Sequence, residues 1–365
     1  MMTLIRDKGA LESVCAKARA ESLLALDTEF VWTRTYRPQL GIVQLGCRAA
    51  NEAVDAMCGM DVTPLGELIA DASVVKILHD ARQDLSHLRH FTGACPHGIF
   101  DTQLAAAFAG FPAGIGLQKL LFEAVGVGLP KTETCTDWTR RPLSPAQVAY
   151  ALDDVRYLPD LRDELLRRAD GLGTRAWLEA DLARLDETSS ESDAGPDGQW
   201  KRVKLGRVRL DGRGWAILRA VAACREEMAK KWNLPRGWLG DDGSLTAMAS
   251  SGRVGRLVHR LRGGQGDTLR VLYDAAIREA LALPEEDWPA DPSPRYIAEV
   301  REAADAALAW LETRAEELHV AASVIANRAT VMAFVDDVND ETNPLGSGWR
   351  HEAVGRELAE KFGVD

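Results

Sequence analysis

Asp27 and Glu29 close the apolar run "LLALDTEFVW", Leu23 to Trp32. In an extended strand, residues i and i+2 point to the same side. The two carboxylates therefore share one surface at the strand's C-terminal end, where open α/β sheets bind ligands. Neighbouring carboxylates repel and raise each other's pKa unless a cation lies between them. Asp84 comes just past a second apolar run, "VVKIL", in "HDARQDL". Tyr150 and Asp154 stand four apart in "YALDD", one turn apart on a single helical face, with Asp153 off that line. Each feature alone has an ordinary reading: solvated edge acids, a first-turn helix charge, a half-buried tyrosine beside an acid. Together, four carboxylates and a tyrosine suit two hard divalent cations, Mg²⁺ or Mn²⁺. Such ions, about 3.5–4 Å apart, activate water and stabilise the leaving oxygen in phosphodiester hydrolysis. Tyr150 would orient that water, since a phenol with a pKa near ~10 is a poor base at neutral pH.

The surrounding text supplies the elements such a site needs. "SLLALDTEF" is strand-like, and "LGIVQLGC" and "EAVDAM" are short hairpin candidates behind it. "SVVKILHD" is a β-branched run leading into the polar helix start "ARQDLSHLRHF". "GIFDTQLAAAFAGF" passes from strand to helix, and "GLQKLLFEAVGVGL" is a helix stopped by glycines. "LSPAQVAYALDDVRYL" carries a capping box, with Ser144 at the N-cap, Pro145 at the first helical position and Gln147 three after the cap. Pro159, soon after Tyr157, is expected to kink that helix beyond the Tyr150–Asp154 turn. This order predicts an α/β domain with a mixed sheet over residues 1–186. The apolar-poor "ETSSESDAGPDGQ" opens a linker, 187–203. Helical periodicity follows, in two small all-α domains, 204–286 and 287–365, parted by the proline-rich "LPEEDWPADPSP".

The chain has 365 residues, enough for two or three domains, and 46% apolar content supports real cores. A net charge of −11 argues against indiscriminate polyanion binding, so a nucleic-acid partner needs local basic patches and bound cations. Two basic runs answer that need: "WKRVKLGRVRLDGRG", Trp200 to Gly214, and "GRVGRLVHRLRGG". The 6 cysteines (Cys15, Cys47, Cys58, Cys95, Cys135 and Cys224) form no C-x-x-C pair and read as free thiols of a reducing cytosol. Neither a secretory leader nor an apolar run long enough to span a bilayer is recognisable. A cytoplasmic monomer with no membrane association and no obligate protein partner is expected.

At these residues the chain resembles the ribonuclease D family, in the tyrosine-bearing subgroup of the DEDD exonucleases. The D-x-E motif falls on Asp27 and Glu29, the second motif on Asp84, and Y-x-x-x-D on Tyr150 and Asp154. "TYRPQLGIVQLG", "FDTQLAAAF" and above all "LPKTETCTDWTRRPLSPAQVAYALDDVRYL" extend the likeness over Leu23 to Tyr157. The helical remainder is similar to two helicase-and-RNase-D C-terminal domains. "LRAVAACREEMAKKWNLPRGWL" is the strong part of the first, and "GSGWRHEAVGREL" resembles the end of the second. The resemblance implies an RNase H-like exonuclease domain that removes nucleotides from RNA 3′ ends by a two-metal mechanism and releases 5′-monophosphates. It implies tRNA precursors and other small stable RNAs as substrates.

Other assignments compete at particular residues. His79 and Asp84 also form H-x-x-x-x-D, the third motif of the histidine-bearing subgroup. That reading needs another intermediate aspartate, such as Asp55, and leaves Tyr150 and Asp154 idle. His79 is therefore read as a strand-end residue that supports the site or touches substrate. Phe30 alternates away from the acids, towards either the core or a terminal base. Thr28 and Gln83 flank the acids and are candidate sugar or phosphate contacts. Trp138 and Arg141 are expected to hold the third-motif loop against the fold, with Lys131 and Arg140 nearer phosphate. Two further readings are a 3′-5′ DNA exonuclease of the same superfamily and a non-catalytic RNA-binding protein, which would lack one or more of the acids.

Overall fold

The structure is a computed structural model that describes residues 4–32, 34–129, 136–190, 196–255, 261–292 and 296–364. Lys131, Cys135 and residues 256–260 of the second basic run lie outside the described residues. The chain forms two compact units. One comprises Met1–Val31, Leu40–Glu191 and Tyr296–Asp365; the other comprises Trp32–Gln39 and Ser192–Arg295.

The first unit is built on five strands: β1 (Leu23–Val31), β2 (Gln39–Cys47), β3 (Ala50–Asp55), β4 (Val75–Leu78) and β5 (Ile99–Asp101). They lie in the order β3-β2-β1-β4-β5. β4 runs parallel to both β1 and β5, and β2 and β3 form an antiparallel pair, so the expected mixed sheet is present. Helices α1 (Lys8–Glu21), α2 (Thr63–Ala70) and α3 (Arg82–Thr92) share one core with Leu24 and Leu26 of β1. On the opposite face, α4 (Thr102–Phe108), α5 (Leu117–Val125), α7 (Leu158–Leu172) and α8 (Arg175–Ser190) pack with Leu23 and Ala25, while α6 is Pro145–Arg156. The two faces of β1 are thus sorted by strand alternation before the chain reaches its acids.

Two local devices set the helices that bear candidate site residues. The Asp101 carboxylate accepts from the backbone N–H groups of Asp80 (3.1 Å), Ala81 (3.0 Å) and Gln103 (2.8 Å). It therefore ties the turn before α3 to the start of α4, and this turn includes Asp80 at a positive φ of 58°. The capping box of α6 forms as its sequence predicts: Ser144 Oγ accepts from Gln147 N–H, and Gln147 Oε1 accepts from Ser144 N–H. The loop before α6 is clamped by Arg141, which donates to Asp55 on β3, to Trp138 O and to Gly41 O on β2. Asp55 is also paired with Arg6 at 3.0 Å. Burial alone would raise the Asp55 pKa, but the Arg141 hydrogen bond and charge outweigh it and hold the carboxyl below its usual range. Asp55 is thereby committed to the loop clamp.

Pro159 kinks nothing. α6 ends at Arg156, Tyr157 caps it, and Pro159 lies in the first turn of the next helix, where a missing N–H costs little. α8 continues through Ser190, past the composition break at residue 187, and a 3-10 helix spans Pro196–Arg202.

The C-terminal helices α13 (Ala298–Glu317), α14 (Ala322–Ile325), α15 (Arg328–Asp336), α16 (Gly348–Arg350) and α17 (Arg356–Phe362) belong to the first unit, and their apolar faces join the core of α4 and α7. "GWR" makes the join. Trp349 stacks on Trp177 at 4.9 Å and donates from Nε1 to Asp181 at 3.1 Å. Arg350 grips the same buried carboxylate with two bonds, 2.7 and 2.6 Å, and donates also to the carbonyl of Ile325. Such a bidentate pair leaves neither charge unsatisfied.

In the second unit, α9 (Gly212–Trp232), α10 (Arg236–Leu239), α11 (Asp242–Ser251) and α12 (Gln265–Ala282) surround one apolar core. Residues Trp32–Gln39, the connection between β1 and β2, are part of it. Buried Tyr36 is held there by Glu226 and by Arg236, whose Nη2 donates to the phenol oxygen at 2.9 Å.

Gly41 marks the tightest join in the α6 loop. A Cβ there would lie 2.4 Å from the Trp138 carbonyl oxygen. Such a glycine signals close backbone approach in a strand. Gly41→Ala should therefore lower stability by about 1–3 kcal/mol in urea unfolding; an unchanged midpoint would show that the clamp is loose.

Candidate active site

The alternation of β1 carries through to its polar end. Leu23 and Ala25 lie on one face, and Asp27 and Glu29 continue that series. Leu24 and Leu26 lie on the other, and Thr28 and Phe30 continue towards α3. From α6, Asp154 completes a group with Asp27 and Glu29: one carboxylate oxygen from each lies within 4.8 Å of the others. Tyr150 lies one turn earlier on α6, and its ring lies 6.2 Å from that of buried Trp138. Asp84, in the first turn of α3, lies outside that group but near enough for its charge to act on Asp27, and it is held by the Thr28 hydroxyl on the other face of the strand. Asp153 turns away to pair with Arg156 at 2.7 Å.

The electrostatics follow from this crowding. Burial, then the charges of Asp84, Asp154 and Glu29, raise the Asp27 pKa well above the ordinary carboxylate range. Burial, then the charges of Asp154 and Asp84, lift Glu29 to about 8. Asp154 is raised to about 7, by burial and then Asp153, and Asp84 to about 6 by burial against the opposing Thr28 bond. Burial and the acids also raise Tyr150, keeping the phenol protonated. Crowded, desolvated carboxylates at the edge of one strand take up either protons or a cation. An all-oxygen donor set of this kind fits a hard divalent ion.

Gln44 was not singled out by the sequence reading. It is fully buried on β2, its Nε2 donates to Asp27 Oδ2 at 3.1 Å, and its Oε1 has no hydrogen-bond partner among the described residues. The available signal was one amide inside the apolar run "LGIVQLG". His87 was also missed; its Nδ1 lies 3.1 Å from Thr28 Oγ1 and its ring meets Phe30 edge-on at 4.2 Å. Phe30 therefore packs on α3. His79 is engaged elsewhere, with Nδ1 2.9 Å from Thr102 Oγ1 at the start of α4, and burial lowers its pKa. Gln83 is exposed on α3, and Trp138 and Arg141 hold the α6 loop.

The site is thus a five-stranded mixed sheet with acids at the end of its central strand, met by a helix bearing tyrosine and aspartate. A family model described as 3′-5′ exonuclease matches residues 2–170. Ribonuclease D of Granulibacter bethesdensis is 34% identical over 375 residues, covering 99% of this chain and 93% of that one. Ribonuclease D of Desulfotalea psychrophila is 41% identical over 241 residues, 66% of this chain and 64% of the relative. The crystal structure of Escherichia coli RNase D, described as an exoribonuclease involved in structured RNA processing, aligns over 100% of both chains with a TM-score of 0.82 and 29% identity. This chain belongs to the ribonuclease D family and is a 3′-5′ exoribonuclease, with an RNase H-like exonuclease domain followed by a helical region.

The raised carboxyl pKa values fix a sign. Over the range from about 4, where these groups titrate in an unfolded chain, up to about 8 for Glu29, the folded site holds more protons than the unfolded chain. Metal-free protein should therefore lose stability as pH rises through this window. In chelator, the melting temperature should fall between about pH 5 and 8, less so in Asp27→Asn, and Mn²⁺ should reverse the loss. A melting temperature that is flat or rises with pH in the wild type, with no response to Mn²⁺, would contradict the account.

Proposed function

We propose that the acids would hold two divalent cations, Mg²⁺ or Mn²⁺, and that the site hydrolyses the terminal phosphodiester of RNA with water and releases 5′-mononucleotides. The observation that carries this reading is the grouping of Asp27, Glu29 and Asp154 within 4.8 Å. These three would hold one ion, and Asp27 with Asp84 would hold the other. Bound ions would polarise the attacked phosphate and favour hydroxide over water. The protein's own part is placement. Gln44 fixes one Asp27 oxygen, and Thr28 fixes one Asp84 oxygen. Trp138 packs against Tyr150, whose protonated phenol suits an orienting role towards the attacking water more than proton abstraction.

The substrate proposed is RNA with an accessible 3′ end, with tRNA precursors and other small stable RNAs as the physiological class. Lys201, Arg202, Lys204, Arg207 and Arg209 are exposed in the second unit and would supply a sequence-independent grip on the phosphate backbone. Arg253 and Arg262, within the second basic run, are also exposed. Gln83 and Arg140 are further candidates for sugar or phosphate. Among the described residues, no helix is long and apolar enough to cross a membrane.

Digestion of 3′-labelled and 5′-labelled RNA, with Mg²⁺, Mn²⁺ or chelator and a matched DNA strand, tests the reaction. The labels should show loss of single nucleotides from the 3′ end, abolished by chelator, with RNA preferred. Asp27→Asn should cut turnover by about 10³-fold with RNA binding retained, and Tyr150→Phe by about 10²-fold. Normal turnover by Asp27→Asn would sink the two-metal reading, and an unchanged rate in Tyr150→Phe would remove the tyrosine from the mechanism. Equal digestion of DNA would favour the broader exonuclease reading.

A further inference from the structure

Thr28 lies between the two D-x-E acids, yet its side chain points to the opposite face of β1. There it is almost fully buried, at 5% exposure, against the first turns of α3. Its hydroxyl is bonded to Asp84 Oδ1, and His87 Nδ1 lies 3.1 Å from the same hydroxyl oxygen. The direction of the chain follows from proton count. A threonine hydroxyl has one proton to give and lone pairs to receive. An ionised Asp84, the form a cation requires, can only accept, so the Thr28 proton goes to it. The remaining partner must then donate, which fixes the proton of His87 on Nδ1. The three groups form a directed series, His87 Nδ1–H to Thr28 O–H to Asp84 Oδ1, in which each bond polarises the next. Phe30, two residues along the same strand face, meets the imidazole edge-on at 4.2 Å and 63° and holds the ring in place.

The spacing makes this geometry possible. Asp84 and His87 are three apart on α3 and so share a helical face. Thr28 and Phe30 are two apart on β1 and so share a strand face. The two pairs meet where α3 packs on the sheet.

We propose that His87 is a positioning residue of the exonuclease site, which acts through Thr28 to orient the Asp84 carboxylate for a divalent cation. This inference rests on the two-metal reading above and concerns the ion shared by Asp27 and Asp84. Partners one shell behind a ligand fix its orientation and tune metal affinity, typically by about 10–100-fold. Thr28 is then a fixed part of the metal site, and its hydroxyl is not available to substrate. Phe30 buttresses the series and does not serve as a base-stacking platform.

The test is Mn²⁺ binding to the full chain without RNA, read as free Mn²⁺ by electron paramagnetic resonance and paired with exonuclease rates across Mn²⁺ concentrations. Wild type and Asp27→Asn report on the two-metal reading itself: loss of Mn²⁺ binding in Asp27→Asn supports it, and unchanged binding overturns it independently of His87. His87→Leu keeps apolar packing under Phe30 but removes the donor. It should weaken one class of Mn²⁺ site by about tenfold, with the rate largely restored at saturating Mn²⁺ and RNA affinity unchanged. His87→Asn, which can present an N–H near the Nδ1 position, should recover most of that affinity. Thr28→Val should match His87→Leu or exceed it, and adding His87→Leu to Thr28→Val should cause no further loss. Unaltered Mn²⁺ affinity in a folded His87→Leu overturns the proposal. So does His87→Asn behaving like His87→Leu, which would reduce the residue to packing. Multiplying losses in the double variant would show that His87 does not act through Thr28. Melting curves of each variant separate these outcomes from misfolding, and if His87→Leu fails to fold, the comparison of His87→Asn with Thr28→Val decides.

Discussion

Like charge held close together in a half-buried place is the constraint on which this structure turns. Asp27, Glu29 and Asp154 bring carboxylate oxygens within 4.8 Å of one another, and Asp84 adds its charge from the far side of the same strand. Nothing in that grouping holds itself together. Repulsion and lost hydration both push the acids apart, so the surrounding fold must supply the restraint. Apolar residues on both faces of β1 anchor the strand before its polar end, with Leu23 and Ala25 in one core and Leu24 and Leu26 in the other. The Arg141–Asp55 clamp and the α6 capping box fix the helix that brings Tyr150 and Asp154. Asp101 fixes the turn that brings Asp84. A bound cation would relieve the remaining repulsion, and this links the crowding of the acids to the chemistry proposed for them.

β1 divides labour between its faces. The side that bears Asp27 and Glu29 is met by α6, and the side that bears Thr28 and Phe30 is met by α3. On the two-metal reading proposed above, a single strand therefore presents ligands on one surface and the groups that orient another ligand on the other. Beyond its polar end, the chain enters the second compact unit, where Tyr36 is locked by Glu226 and Arg236. The strand that carries the acids is thus covalently continuous with a segment of the helical unit. The C-terminal helices tie in through a different device, the grip of Arg350 and Trp349 on Asp181.

What could be read from the sequence was local. The i, i+2 spacing of Asp27 and Glu29, the i, i+4 spacing of Tyr150 and Asp154, and the Ser144–Gln147 cap each depend on one element's own geometry. The mixed sheet and its order of strands and helices follow from hydrophobic period and turn residues. Contacts between distant segments left little trace. Gln44 is a lone amide in an apolar strand, and only the pairing of β2 beside β1 places it on Asp27. His87 is one of several polar residues on α3, and only the docking of that helix on the sheet gives it Thr28. The composition break near residue 187 marks a change of texture, yet α8 runs through Ser190. Trp32–Gln39 belongs to a unit whose other residues begin at Ser192, a partition that no local signal could encode. Pro159 shows the opposite lesson: a residue that would break a continuing helix is at ease one turn into a new one.

The central claim is that divalent cations displace protons from a crowded carboxylate site. Proton release on metal binding measures this directly. Calorimetric titration of the metal-free protein with Mn²⁺ near pH 7, repeated in buffers of different ionisation enthalpy, counts the protons lost. With Glu29 raised to about 8 and Asp154 to about 7, the account predicts release of about one proton or more per protein molecule, and much less in Asp27→Asn. Mn²⁺ binding with no proton release would contradict it.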